Sequence, residues 1–242
     1  MNRPFHHFLL TRFSVRIRGE RFQERAWLEK RFELFERFCF PSVAGQSTQC
    51  FDWFVFFDSS LPEDLQARVE SWARFPAFHA VFVTGRFDGG LVCRVLREFG
   101  VSGEYVITSR VDNDDALATR FMETVQSSFH RQAFEFVNQP CGYFWDGSRA
   151  WAVRNHSNAF ISLVERADGF RTVLSFNHAR ALDAGPIRQA GSMPGWLAVL
   201  HGDNLANSPR GEPVSGDDWK KHFAVSDWSV AAPLNSGLTA KP

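Results

Sequence analysis

The sequence predicts an α/β fold: a mostly parallel sheet with helices on both faces, followed by a smaller antiparallel layer. Three observations carry that prediction. Strand-like apolar runs alternate with helix-spaced segments through the first half of the chain. Two of those runs stop in acid-bearing loops, at Asp58 and at Asp112, Asp114 and Asp115. Beyond residue 130 the pattern changes to short strand-like runs broken by Pro, Gly and Asn. With 242 residues, 44% of them hydrophobic, the chain can bury a sizeable core as one domain.

Residues 7–15 read as a first strand, with a loop able to begin at the polar pair Thr11 and Arg12. Residues 27–40 read as a helix, because Trp27, Leu28, Phe32, Phe35, Phe38 and Cys39 recur at three- and four-residue steps between charged residues. Pro41 and Gly45 should end or distort it. Residues 51–57 are aromatic and β-branched and read as a buried strand, stopped by Asp58-Ser59-Ser60-Leu61-Pro62. A helix over 63–75, a strand over 80–84 and a helix over 89–99 lead to the strand of residues 104–110. Residues 116–130 are expected to be helical, and 134–137, 142–145, 150–153, 159–164 and 172–176 to be strands of an open antiparallel layer. From about residue 206, Asn, Ser, Pro and Gly accumulate, so an irregular C-terminal extension with one short turn near 219–223 should follow a domain of residues 1–205.

Lys and Arg total 27 and Asp and Glu total 27, so no global field favours nucleic acid or an anionic membrane, and any anion must be bound locally. Cys39, Cys50, Cys93 and Cys141 lack paired spacing, which argues against a zinc site or a disulfide framework. No run of eighteen apolar residues is present, and the apolar run Phe8-Leu9-Leu10 is too short for a signal-peptide core. The chain is expected to be soluble and cytoplasmic, without a membrane span, with peripheral association left open. Its 26 Phe and 8 Trp can stack on sugars, but most should be core.

The most informative stretch is Glu104-Tyr105-Val106-Ile107-Thr108-Ser109-Arg110-Val111-Asp112-Asn113-Asp114-Asp115. Three carboxylates in four positions follow a buried-type strand, and that much negative charge repels itself unless a cation relieves it. Hard oxygen ligands without nearby Cys select Mg²⁺ or Mn²⁺, which commonly take one or two carboxylates plus phosphate oxygens. In an open parallel sheet, ligands sit at the carboxyl ends of strands, where both acid-bearing loops lie.

The run Ser109-Arg110-Val111-Asp112-Asn113-Asp114-Asp115-Ala116 resembles the DxD-bearing motif of nucleotide-sugar glycosyltransferases of the GT-A type, and most closely the bacterial rhamnosyltransferase family. The resemblance also takes in residues 41–46 with 51–58, Ser162-Leu163-Val164-Glu165, Asn177-His178, and Trp196-Leu197-Ala198-Val199-Leu200-His201-Gly202-Asp203-Asn204, so it spans roughly residues 6–205. It implies a GT-A-like, Rossmann-type sheet whose antiparallel layer lies on the acceptor side. It also implies transfer of a sugar, in the rhamnose class, from a nucleoside-diphosphate donor to a saccharide or glycan acceptor, with inversion.

Carried over residue by residue, the resemblance implies that Asp112 and Asp114 handle metal and ribose-diphosphate, that Asp58 helps hold the nucleoside, and that His201 is a late metal ligand. Thr11-Arg12-Phe13 stands where relatives have a Pro-containing turn, so Thr11 and Arg12 replace that element, Arg12 can pair with phosphate, and Arg110 is counted with them among the residues that bind the donor. For the base that accepts the acceptor proton, Glu165 is the first candidate, Asp183 a reserve and Asp115 a third.

Ordinary structural roles compete with each assignment. The acids can cap a helix, Asp58 can belong to a turn, His201 can be a core histidine, and Glu165 can be a surface ion pair. Two other functions fit less well. A phosphotransferase of the haloacid-dehalogenase type needs a second Asp two residues after the first, and Asp58 is followed by Ser59-Ser60. A non-catalytic saccharide-binding protein on the same shell would bind glycan without nucleotide or metal.

Overall fold

The computed structural model describes residues 3–16, 24–201 and 210–228. The expectations for Gly202-Asp203-Asn204 and for the tail after 228 lie outside the described residues. In chain order the strands are β1 (Phe5–Arg12), β2 (Asp52–Asp58), β3 (Phe78–Val83), β4 (Tyr105–Arg110), β5 (Ala116–Leu117), β6 (Phe134–Asn138), β7 (Cys141–Trp145), β8 (Ala150–Arg154), β9 (Ser162–Arg166), β10 (Ile187–Gln189), β11 (Trp196–Val199) and β12 (Glu212–Val214). The principal helices are α1 (Arg25–Leu34), α2 (Phe40–Ala44), α3 (Glu63–Trp72), α4 (Gly89–Phe99) and α5 (Phe121–Ser127).

Seven strands form the main sheet in the order β10-β6-β9-β4-β1-β2-β3. β4, β1, β2 and β3 run parallel, β9 is antiparallel to both its neighbours, and β6 and β10 are parallel to each other. From β1 the chain steps outward to β2 and β3, then returns to the other side of β1 as β4. The β1/β4 boundary is therefore a topological switch point, the crevice where open α/β sheets bind ligands.

Both faces of this sheet are buried, which explains the continuous apolar character of its central strands. Leu9, Trp53, Val55, Phe57 and Ile107 meet Leu28, Phe32 and Phe35 of α1 and its extension, Leu65, Val69 and Trp72 of α3, and Phe121 and Val125 of α5. Phe8, Leu10, Phe54, Phe56 and Val106 face the opposite way, onto Val92, Cys93 and Leu96 of α4. The alternation along β1, β2 and β4 is thus between two cores, not between core and solvent. The aromatic wealth of the sequence is largely spent here: Trp72 lies 4.6 Å from Phe35 and 5.3 Å from Phe32, centroid to centroid.

The helix of residues 27–40 does not stop at Pro41. A π-helical turn, Phe35–Cys39, joins α1 to α2, and Phe40 donates its N–H back to the Phe35 carbonyl just before the residue that has no N–H to give. Helicity ends at Gly45, where a Cβ would lie 2.2 Å from Cβ of Ala224.

The second sheet, β12-β8-β7-β11-β5, has five strands and mixed directions, since β11 runs parallel to β7. Four sequence expectations change here. Residues 116–130 are not one helix: Ala116–Leu117 pairs with β11, and only Phe121–Ser127 is helical. The strands at 134 and 162 join the main sheet instead of a separate layer, because β9 pairs with β4. Residues 172–176 form a 3₁₀ turn, Val173–Ser175, in place of a strand. The segment beyond 206 adds β12 to the sheet and buries Trp219 and Phe223 against Trp145 and Val199. Among the described residues, no helix is long and apolar enough to cross a membrane.

Gly142 pairs with Trp196 in the β7/β11 register, and the Trp196 ring, stacked on Phe160 at 4.9 Å, covers it so closely that a Cβ would lie 2.2 Å from the indole. Gly142→Ala should therefore lower stability by about 1–3 kcal/mol through overpacking, read as a lower denaturant midpoint.

Candidate functional site

The carboxyl ends of β1 and β4 lie side by side, in a register that pairs Leu10 with Arg110. Chain continuity then places Arg12 and Asp112 on either side of the switch point. Asp112 Oδ1 accepts from Arg12 Nη2 at 3.3 Å and from Arg110 Nη2 at 3.4 Å, while its Oδ2 takes no hydrogen bond among the described residues. Burial alone would raise the Asp112 carboxyl, but Arg110 and Arg12 outweigh it and bring it to about 2. Arg110 is 6% exposed, and its Nε is a buried donor with no partner among the described residues. A buried guanidinium N–H left unsatisfied is costly, so an anion in the crevice would complete it.

Asp114 is held differently. Its Oδ2 accepts from Arg31 Nη1 at 2.6 Å and lies 2.7 Å from His201 Nε2, with all three side chains nearly buried. Burial opposes ionisation, yet His201 and Arg31 hold the carboxyl below its ordinary value. Asp115 Oδ1 accepts the Val199 N–H at 3.0 Å and so ties β11 to the acidic loop. Burial first, then the charges of Asp114 and Asp112, push the Asp115 carboxyl well above its ordinary value, which favours the neutral acid in the crowded loop. Asn113 donates to the Phe13 carbonyl at 3.1 Å, which fixes the loop against the end of β1.

Asp58 lies on the same edge, at the end of β2, but is engaged locally by Ser60 and by Arg16, whose Nε is 2.7 Å from Oδ2. Burial opposes the Ser60 and Arg16 contacts, which nonetheless lower its carboxyl. Thr11 points away from the crevice. It is fully buried, and its hydroxyl accepts from the Trp53 indole at 2.9 Å. Glu165 is not brought to the cluster either: it pairs with Val106, four residues or about 13 Å along β4 from Arg110. Its buried carboxylate accepts from the backbone of Arg171 and Thr172 at 3.1 and 2.9 Å. Asp183 is exposed and paired with Arg180 at 2.8 Å.

Two side chains that the sequence reading did not single out for the site now belong to it. Arg31 neutralises Asp114 from α1, and its signal was the charge balance that three adjacent acids require. His178, on the 3₁₀ turn His178–Arg180, is close enough to Asp112, Arg110, Arg12 and Arg210 to feel each charge. Burial first, and then Arg110, lower its imidazole below the ordinary value, which favours the neutral base. Arg210 also borders an open cavity of about 830 Å³ lined by Tyr143, Arg154 and His156.

Among the described residues, no three His, Cys, Asp or Glu side chains converge as a ready metal cage. Asp114 and His201 are closed on each other and on Arg31. What remains suited to a hard cation is Asp112 Oδ2, a single carboxylate that a ligand phosphate would have to complement.

A family model described as "Putative rhamnosyl transferase" matches residues 7–213. The chain belongs to that family. The match takes in both sheets and every residue of the crevice described above, so this rhamnosyl transferase family member carries its charged cluster inside the matched region. No curated protein matches it. Among solved structures, Staphylococcus aureus TarS residues 1–349 in complex with UDP is similar over 81% of this chain and 61% of that one, at 11% identity and a TM-score of 0.47. Full TarS is similar over 81% of this chain and 37% of its own length, with a TM-score of 0.45 and 11% identity. The inositol-1-phosphate CTP transferase of Thermotoga maritima gives a TM-score of 0.33 at 11% identity over 83% and 86% of the two chains. The chain thus spans less than two thirds of the TarS chains it is similar to.

Asp114 without Arg31 would be a buried charge with one partner lost. Arg31→Met should cost about 3–5 kcal/mol, and Arg31→Met with Asp114→Asn less than that, in equilibrium denaturation. Because the folded Asp114 carboxyl is depressed, its contribution is present above the ordinary carboxylate value and is lost as pH falls through the folded value. The difference between wild type and the double variant should therefore shrink only below about pH 4.

Proposed function

We propose that this protein transfers a sugar from a nucleoside-diphosphate donor to a saccharide acceptor, with the diphosphate seated at the β1/β4 switch point. The observation that carries this reading is Arg110: a buried guanidinium at the carboxyl end of β4, one donor unpartnered, beside Arg12 and a carboxylate whose second oxygen is uncommitted. Arginine pairs are suited to phosphate oxygens, and their charge stabilises the diphosphate as it leaves. Asp58, on the same edge two strands away, is the candidate for the nucleoside end.

Asp112 would hold Mg²⁺ or Mn²⁺ through Oδ2 together with donor phosphate, and Asp114 and His201 could join only by giving up their contact with each other or with Arg31. Bound there, a divalent cation would supply further neutralisation of the departing charge.

The acceptor side is assigned to His178 and the cavity beyond Arg210. Burial and repulsion from Arg110 lower the His178 imidazole below its ordinary value and so favour the neutral base, and the charges it feels from Arg110, Asp112 and Arg12 put it near the diphosphate end of the crevice. It accepts the proton of the acceptor hydroxyl as that oxygen bonds to the anomeric carbon and the carbon–oxygen bond to the diphosphate breaks, an inverting displacement. Burial and the charges of Asp114 and Asp112 raise the Asp115 carboxyl well above its ordinary value and its Oδ1 is engaged by the Val199 N–H, which suits it less to this role, and the rhamnosyl specificity of the donor is kept as the family's expectation.

Calorimetry with UDP, GDP and dTDP in Mn²⁺ tests the donor site. Arg12→Gln and Arg110→Gln should each weaken the preferred nucleotide by about tenfold or more, as expected for a charge-assisted hydrogen bond of about 1.5–3 kcal/mol. Wild-type affinity in both variants would refute the assignment. The pH profile tests His178. The active form is deprotonated and its value is lowered, so the acid limb of turnover should lie below the ordinary histidine value of about 6.5, and His178→Gln should abolish that limb.

A further inference from the structure

Residues 170–178 are fastened more tightly than a connecting loop requires. Thr172 is a buried β-branched residue at φ +70°, a conformation that glycine adopts freely and threonine does not, and its hydroxyl is a buried group with no partner among the described residues. The amides on either side of that strain are clamped. Glu165 Oε1 accepts from Arg171 N at 3.1 Å, Glu165 Oε2 accepts from Thr172 N at 2.9 Å, and Thr108 Oγ1 on β4 accepts from Val173 N at 2.8 Å. The Arg171 guanidinium lies over the rings of Phe134 and Phe176, at 5.3 and 4.7 Å, and Arg97 donates to the Phe170 carbonyl at 3.2 Å.

The strained turn leads into the segment that carries His178. After Val173–Ser175, Asn177 Oδ1 accepts from Ala179 N at 3.0 Å and starts the turn of His178, whose carbonyl is held by the Ser157 hydroxyl. Burying an acid on β9 and holding threonine at positive φ are each unfavourable, and both occur in one contact. A connection with no further duty would place an apolar residue at 165 and glycine at 172. Thr108 is two residues before Arg110, so the clamp and the diphosphate-binding arginine share one strand.

We propose that Glu165 is a positioning residue: its carboxylate holds residues 171–172 in the strained turn that leads to His178 and sets its place beside the Asp112–Arg110 pair. This deepens the reading above and rests on it for what His178 meets. Glu165 itself touches no reacting group, being anchored near the opposite end of β4.

The test combines amide hydrogen exchange, calorimetry and steady-state kinetics on the full chain. Glu165→Gln keeps the shape but turns an amide NH₂ toward one of the two backbone donors. Exchange over 171–178 should accelerate while β4 stays protected, and UDP, GDP or dTDP should bind as in wild type. Hydrolysis of the matching nucleotide sugar should fall roughly ten- to hundredfold in kcat with donor KM unchanged. In the His178→Gln background, Glu165→Gln should add no further loss. Glu165→Gln with Thr172→Gly should regain most of the turnover, since glycine takes the turn without a clamp.

Full turnover in Glu165→Gln, equal loss of nucleotide binding and turnover, an additive loss on His178→Gln, or unchanged exchange over 171–178 would each overturn the proposal. Should Glu165→Gln not fold, Thr108→Val, which strips the acceptor from Val173 N, must show the same split between kcat and nucleotide affinity. A wild type that binds none of the nucleotides refutes the donor assignment instead, and the exchange pattern then still decides the clamp.

Discussion

Three carboxylates crowd into four consecutive positions at the end of one buried strand, and the architecture around them is organised by the need to relieve that charge. Arg12 arrives from β1, Arg31 from α1, Arg110 from β4 itself and His201 from the end of β11, while burial and its acidic neighbours raise the Asp115 carboxyl well above its ordinary value. These contacts join elements as distant as residues 12 and 201, so the second sheet is fastened to the first by electrostatics as well as by its apolar cluster. A low-dielectric pocket makes each such contact strong when complete and costly when broken.

The relief is uneven, and the unevenness gives the site its direction. Asp114 is saturated by Arg31 and His201, whereas Asp112 is held through one oxygen at 3.3 and 3.4 Å and Arg110 keeps a donor unused. Binding capacity is therefore concentrated at the switch point between β1 and β4, where the fold by itself would place a ligand. Under the proposed reading, the metal anticipated from the acidic motif would be shared between Asp112 and a phosphate, since Asp114 is already matched by Arg31 and His201 and Asp115 is engaged by the Val199 N–H.

Much of this was legible in the sequence. Periodicity located the central strands and helices to within a few residues, and residues 89–99 form a helix with the expected bounds. The acidic loop fell at a strand's carboxyl end, and His201 stands beside Asp114. Glu165 shows what was not legible. A strand's residues can be read from their pattern but its direction in the sheet cannot, and β9 runs antiparallel to β4, which carries its last residues to the edge away from Asp112. Thr11 was misread for a related reason: the strand continues through Arg12, so Thr11 faces inward and serves Trp53. His178 left no periodic signal, because a backbone turn that few residues adopt determines its position.

The π turn before Pro41, the β5 pair inside the expected helix and the strained Thr172 share a cause. In each, tertiary contacts override local preference, and each lies within the framework that supports the crevice. The most direct test of the account is a crystal structure with Mn²⁺ and the nucleoside diphosphate that binds best. The account predicts the diphosphate against Arg12 and Arg110, with the cation between Asp112 and the phosphates. A diphosphate seated elsewhere, for instance in the cavity bordered by Arg120 and Arg188, with Arg110 Nε still unpartnered, would contradict it.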